Sequence, residues 1–118
     1  MASSKRVMIV DGDTSSTQYL KAMVIEREPQ WEVLEVHSAE EAMCQSGVDA
    51  IALNQNLQGV EPLQFVQQLH DTYPGARLGL MAKKPQLDDL DIVGEDYHLA
   101  FIQKPLTEQK IMGFLYGE

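Results

Sequence analysis

The sequence predicts a single α/β domain built on a parallel five-stranded sheet. Three observations predict it. Short apolar runs alternate with segments of helical periodicity, five times over, as in RVMIV, DAIAL and the run from Arg77 to Ala82. The central runs are apolar almost without interruption, as strands covered on both faces must be. The length, 118 residues, suits one domain spanning 1–118, and such a domain buries roughly two thirds of its unfolded surface.

Composition narrows the class. Hydrophobic residues at 44% and charged residues at 23% are ordinary globular values, so disorder is not expected. The single cysteine, Cys44, excludes an internal disulfide framework and is expected to be a quiet, partly buried thiol. No apolar run reaches the ~20 residues of a membrane span, and the polar start is no signal peptide, so a cytoplasmic protein is expected. A net charge of −9 repels phosphate backbones, which argues against direct nucleic-acid binding.

The elements follow in order. Residues 6–10 form a buried strand that Asp11-Gly12-Asp13 ends. Residues 14–28 form a helix with Tyr19, Leu20, Met23 and Val24 apolar, stopped by Pro29; Asp13 suits a turn or N-cap. Residues 31–36 alternate as a strand nearer an edge. Ser38 and Glu41 make a capping box that opens a short helix closed by Gly47. Residues 49–53 form another buried strand, followed by a polar loop at 54–61. Pro62 starts a helix reaching about Tyr73, with Leu63, Phe65, Val66 and Leu69 inward. Residues 77–82 are the fourth strand, 85–93 a weakly periodic helix, and 99–103 the fifth strand. Thr107 caps a last helix with Ile111, Met112, Phe114 and Leu115 on one side.

Right-handed crossovers make the flavodoxin-like order 2-1-3-4-5 the expected sheet, in a three-layer (βα)5 sandwich. Ligands of such sheets sit beyond the carboxyl ends of the strands. That rule selects Asp11 to Asp13, Asn54, Met81 to Lys83, and Lys104.

At those places the whole chain resembles a response-regulator receiver (CheY-like) domain of two-component signalling. The resemblance rests on VMIVDGD, on DAIALNQNLQGVEP, on LGLMA, and on FIQKP, in that order. It implies a phosphorylation site made of an acceptor aspartate, two metal-holding acidic residues, a hydroxyl residue, a lysine and an aromatic switch residue. Asp11 matches the first acidic residue, Lys104 the lysine and Phe101 the aromatic. Gly12 stands where the second acidic residue is expected, Asn54 at the acceptor, and Met81 at the hydroxyl position. Asn56 matches the position whose carbonyl helps to hold metal.

The departures carry chemistry. A neutral amide is a poor nucleophile and forms no acyl phosphate. Gly12 and Asn54 together remove two of three carboxylates, so Mg²⁺ binding is expected to be weak or absent, with Asp11, Asp13 and Asn56 the remaining weak candidates. Met81 has no hydroxyl to read a phosphate. Lys104 is expected to pair with Asp11, with Pro105 setting the entrance to the last helix. Phe101 is expected as core rather than switch, and Met81 as filler of the space left behind. His37, His70 and His98 show no ligand spacing.

The expected function is therefore that of an atypical receiver, independent of phosphorylation and acting by protein contact. The resemblance implies an output face over residues 84–116, in which Asp88, Asp89, Asp91, Glu95 and Asp96 offer an acidic surface to a basic partner, an attached output domain or a second copy. An alternative is a small-molecule or anion sensor using Lys104 and strand-end N–H groups. A third reading is a receiver phosphorylated at another carboxylate, Asp11 or Asp13. No nucleophile–base pair or glycine-rich phosphate loop points to an enzyme. The chain reads either as complete or as a piece of a longer signalling protein, the second being favoured because inactive receivers usually act on something attached.

Overall fold

In the computed structural model, which describes residues 5–54, 61–82, 99–103 and 106–116, five strands form one parallel sheet in the order β2-β1-β3-β4-β5. The strands are β1 (Arg6–Val10), β2 (Glu32–Val36), β3 (Ala50–Asn54), β4 (Arg77–Ala82) and β5 (Ala100–Gln103). The helices are α1 (Thr14–Arg27), α2 (Ala39–Met43), α3 (Pro62–Thr72) and a C-terminal helix (Glu108–Tyr116). The expected helix at 85–93 lies outside the described residues.

The apolar strand runs are explained by two cores, one on each face of the sheet. Val7 and Ile9 of β1 point to the face covered by α1 and the C-terminal helix, where Leu20, Val24, Ile111 and Phe114 pack. Met8 and Val10 point to the other face, against Phe65, Val66 and Leu69 of α3. Residues alternate sides along a strand, so a strand with a core on each side is apolar at every position. Each fully buried Leu, Ile or Phe contributes roughly 1.5–3 kcal/mol, which makes these two layers the main stabilising force.

Local signals set the helix starts. Asp13 is the N-cap of α1, its Oδ1 accepting from the Ser15 N–H at 2.9 Å. Ser38 caps α2 by accepting from the Glu41 N–H at 3.2 Å, which is the Ser38 half of the expected capping box. Thr107 accepts from the Lys110 N–H at 3.2 Å at the start of the C-terminal helix. Pro62 occupies the first turn of α3, and Glu61 caps it through the Gln64 N–H at 2.7 Å.

Two expectations are corrected. The second helix ends at Met43 rather than running to Gly47. Gly47 takes a φ of 67° in the turn beyond it, a backbone state that glycine adopts without steric cost. Cys44 is exposed rather than partly buried, because it falls at the C-cap of that short helix, while Ala42 makes the inward contact.

The C-terminal helix is tied down at its end by cations. Lys5 Nζ donates to the Leu115 carbonyl at 2.8 Å, and Arg77 Nε donates to the Phe114 carbonyl at 2.7 Å. The last carbonyls of a helix have no intrahelical donor and carry the negative end of its dipole, so cations suit them. Arg27 and Glu108 form an ion pair, and the Trp31 and Tyr116 rings meet edge to face at 5.8 Å.

Candidate functional site

The strand ends assemble as the sheet order requires. Val10 of β1 lies in register with Val36 of β2 and with Leu53 of β3. The next residues, Asp11, His37 and Asn54, therefore come together at the carboxyl end of the sheet. The Asp11 N–H donates to the Val36 carbonyl at 3.0 Å, which fixes the chain as it leaves β1.

Asp11 is only 2% exposed, and one of its oxygens takes two donors. Oδ1 accepts from the Asp13 N–H at 2.9 Å and from Asn54 Nδ2 at 2.9 Å. A buried carboxyl without partners would cost several kcal/mol, whereas each hydrogen bond to a charged group contributes about 1.5–3 kcal/mol. These donors are therefore what make the burial of Asp11 tolerable.

Asn54 closes β3 and lies in register with Met81 of β4. Met81 is fully buried and belongs to the core beneath α1 and the C-terminal helix. Its unbranched thioether packs there without a polar group to satisfy. Gly12 is an exposed loop residue, and Asp13 points its carboxylate along α1, taking Ser15 N–H and, at 3.3 Å, the Ser16 hydroxyl. Asp13 thus serves α1 as its cap rather than turning to Asp11.

Phe101 is 37% exposed, so the expectation that it packs as core is corrected. It sits on β5 at the sheet edge, where its side of the strand is incompletely covered by the described residues. Lys104 and Asn56 lie outside the described residues, and so does the expected Lys104–Asp11 pair. Asp88, Asp89, Asp91, Glu95 and Asp96 lie outside them too.

His37 was not singled out by spacing, yet its Nδ1 lies 2.9 Å from the Asp11 carbonyl oxygen. The signal for it was positional: it follows β2 directly, and the sheet order sets the end of β2 beside the end of β1. Among the described residues, no three His, Cys, Asp or Glu side chains are grouped to hold a metal ion. No described helix is long and apolar enough to cross a membrane.

Chemically, this cluster is a hydrogen-bonded closure. Its one buried carboxyl is engaged by an amide and a backbone N–H, and its neighbour at the end of β4 is a thioether.

No family model matches the sequence, and no curated protein matches it significantly. Solved structures do match. A CheY-like response regulator receiver domain protein from Methanospirillum hungatei is 18% identical, with a TM-score of 0.84, over 98% of this chain and 93% of that one. The chemotaxis protein CheY4 of Vibrio cholerae is 16% identical, with a TM-score of 0.83, over 98% of both chains. A pilus assembly protein (CpaE) from Burkholderia thailandensis is 13% identical, with a TM-score of 0.78, over 96% of both. The five parallel strands in the order 2-1-3-4-5, with their helices, are thus the flavodoxin-like fold of CheY-like receiver domains.

Proposed function

We propose that this chain is a receiver-like module of two-component-type signalling that works without phosphorylation, through contact with another protein. The observation that carries the proposal is the Asn54 Nδ2 to Asp11 Oδ1 hydrogen bond at 2.9 Å, beside the buried Met81. On this reading Asn54 occupies the acceptor position and Gly12 the position of the second acidic ligand. Met81 takes the place of the hydroxyl residue. The amide cannot attack a phosphoryl group.

The donor set among the described residues does not suit Mg²⁺. The ion prefers six oxygens near 2.1 Å, several of them anionic or water. Asp11 Oδ1 already takes two donors, Gly12 brings no side chain, and Asp13 is turned to the α1 cap. No step of the proposed function therefore passes through a metal. Similar folds occur in proteins named as a chemotaxis regulator and as a pilus assembly protein, which supports a role in assembly or signalling by contact.

The test is incubation with acetyl phosphate, and separately with BeF₃⁻, in the presence of Mg²⁺, followed by intact mass and amide NMR spectra. An unchanged mass and unshifted amides at Asp11, Asn54 and Met81 are expected. Stable phosphorylation, or saturable Mg²⁺-dependent shifts at those amides, would sink the proposal.

A further inference from the structure

β2 lies at one end of the sheet and, among the described residues, pairs only with β1. The segments on either side of it, 28–31 and 37–53, are all described. Successive peptide groups of a strand turn to opposite sides. The Glu32 N–H donates to the Lys5 carbonyl at 2.9 Å, and the Val36 carbonyl accepts from the Asp11 N–H at 3.0 Å. Positions 32, 34 and 36 therefore bond to β1, while Val33 and Glu35 turn their N–H and C=O groups to the free edge. Such a row of groups is a template for another strand.

The side chains add to that tendency. The strand reads EVLEV, with Val33 and Val36 buried and Leu34 half-buried. Short apolar, β-branched strands with little charge are the ones that pair between molecules. The charges in β2 are Glu32 and Glu35, and their settings differ. Glu32 is exposed at the start of the strand, with its carboxylate 3.3 Å from Arg6 Nε.

Glu35 is in register with Ile9, on the face covered by α1, where Ile9 and Val33 are core residues. A strand covered on that face calls for an apolar residue there. Glu35 Oε1 is shut off from solvent and has no hydrogen-bond partner. Among the described residues the other such atom is Arg6 Nε, which has the Glu32 carboxylate beside it. Glu35 has no ion pair either. A carboxylate oxygen removed from water without a donor weakens a fold, and an apolar side chain of similar size does not. The folded monomer thus gains nothing from this carboxylate that leucine would not supply.

We propose that Glu35 keeps the β2 edge from pairing with the β2 edge of a second copy of this chain. A strand added there would bond to the peptide groups of Val33 and Glu35 and strip the remaining water from the carboxylate beside them. Two copies would also bring two such carboxylates into one strand pair, where like charges repel. The β2 edge and the Asp11–Asn54 cluster are separate features, so the phosphorylation experiment can succeed or fail independently.

The test compares Glu35→Leu and Glu35→Lys with the parent. In dilute solution, Glu35→Leu is expected to raise the urea midpoint by roughly 0.5–1 M, because an apolar side chain replaces an unpartnered carboxylate. At ~100 µM it is expected to sediment as dimers or larger species while the parent stays monomeric. Amide exchange at positions 33 and 35, whose N–H groups face the free edge, is expected to slow as Glu35→Leu is concentrated. Glu35→Lys carries a charge on a long stem that reaches water, and it is expected to stay monomeric. A monomeric Glu35→Leu, a lowered midpoint in that variant, association without protection at 33 and 35, or equal association of Glu35→Lys would each overturn the proposal. So would a parent that associates through β2 at the same concentration.

Discussion

Asn54 donates its side-chain amide to the carboxyl of Asp11 at 2.9 Å, across the carboxyl ends of β3 and β1. The bond joins residues 43 apart in sequence and satisfies a carboxyl that is 2% exposed. Isosteric as the two side chains are, asparagine and aspartate differ here in kind. The amide nitrogen donates, whereas a carboxylate oxygen in its place would only accept.

Asn54→Asp is therefore expected to lose about 1–3 kcal/mol of stability at pH 7, because two carboxylates face each other where one donor stood. Urea unfolding of both proteins at pH 7 checks this, and a variant as stable as the parent would refute it.

The same single change is not expected to restore phosphorylation. The variant still lacks the second acidic residue at Gly12 and a hydroxyl at Met81. Adding Gly12→Asp and Met81→Thr to Asn54→Asp supplies all three groups. Only the triple variant should gain the mass of a phosphoryl group from acetyl phosphate and Mg²⁺. Met81 is fully buried, so its replacement should itself cost about 2–4 kcal/mol. Intact mass spectrometry decides the matter. Labelling of the single variant would show that Gly12 and Met81 matter little.

Gly79→Ala should be destabilising by about 1–3 kcal/mol. The added methyl would fall 2.8 Å from the Phe114 ring and 2.9 Å from Ile102 Cδ1, so these packed side chains must shift out of their places in the core. Gly113→Ala, in open space, should instead add about 0.5–1 kcal/mol through helix propensity. Opposite signs for these two glycines in denaturant unfolding are the expected result, and equal signs would refute it.

The Tyr116 hydroxyl donates to Glu28 Oε1 at 2.7 Å, and this hydrogen bond raises the phenol above its ordinary value. The contact favours the protonated phenol. Whatever it contributes to stability is present below the ordinary phenol range and is lost as pH rises through the raised value. A spectrophotometric tyrosinate titration should show one phenol titrating late, and Glu28→Gln should bring it back toward the others. An unchanged titration in that variant would remove the assigned cause.

Local chemistry was legible in the sequence because local residues carry it. Asp13, Ser38 and Thr107 accept from N–H groups two or three residues away, so their capping needs no knowledge of the sheet. Pro62 starts α3 for the same reason. The strands announced themselves as unbroken apolar runs because both faces of the sheet are covered. The strand order followed from the βα alternation and the hand of the crossovers, which is a property of L-residues.

Contacts between distant residues were less accessible. That Glu61 would cap α3, and that Cys44 would be exposed, depended on how each loop leaves its element. The exposure of Phe101 depended on which side of an edge strand is covered. His37 joined Asp11 only because β2 and β1 are neighbours in the sheet. The cationic ties of Lys5 and Arg77 to the C-terminal helix cross 110 and 37 residues of sequence.

The sequence by itself determined the elements, their order and the identities of Asp11, Gly12, Asn54 and Met81, because periodicity and residue chemistry are carried along the chain. Only the tertiary structure decided that Asn54 turns its amide to Asp11 and that Asp13 serves α1. Those outcomes depend on strand register and on which faces meet, and distances across a sheet are set by packing that no local pattern encodes.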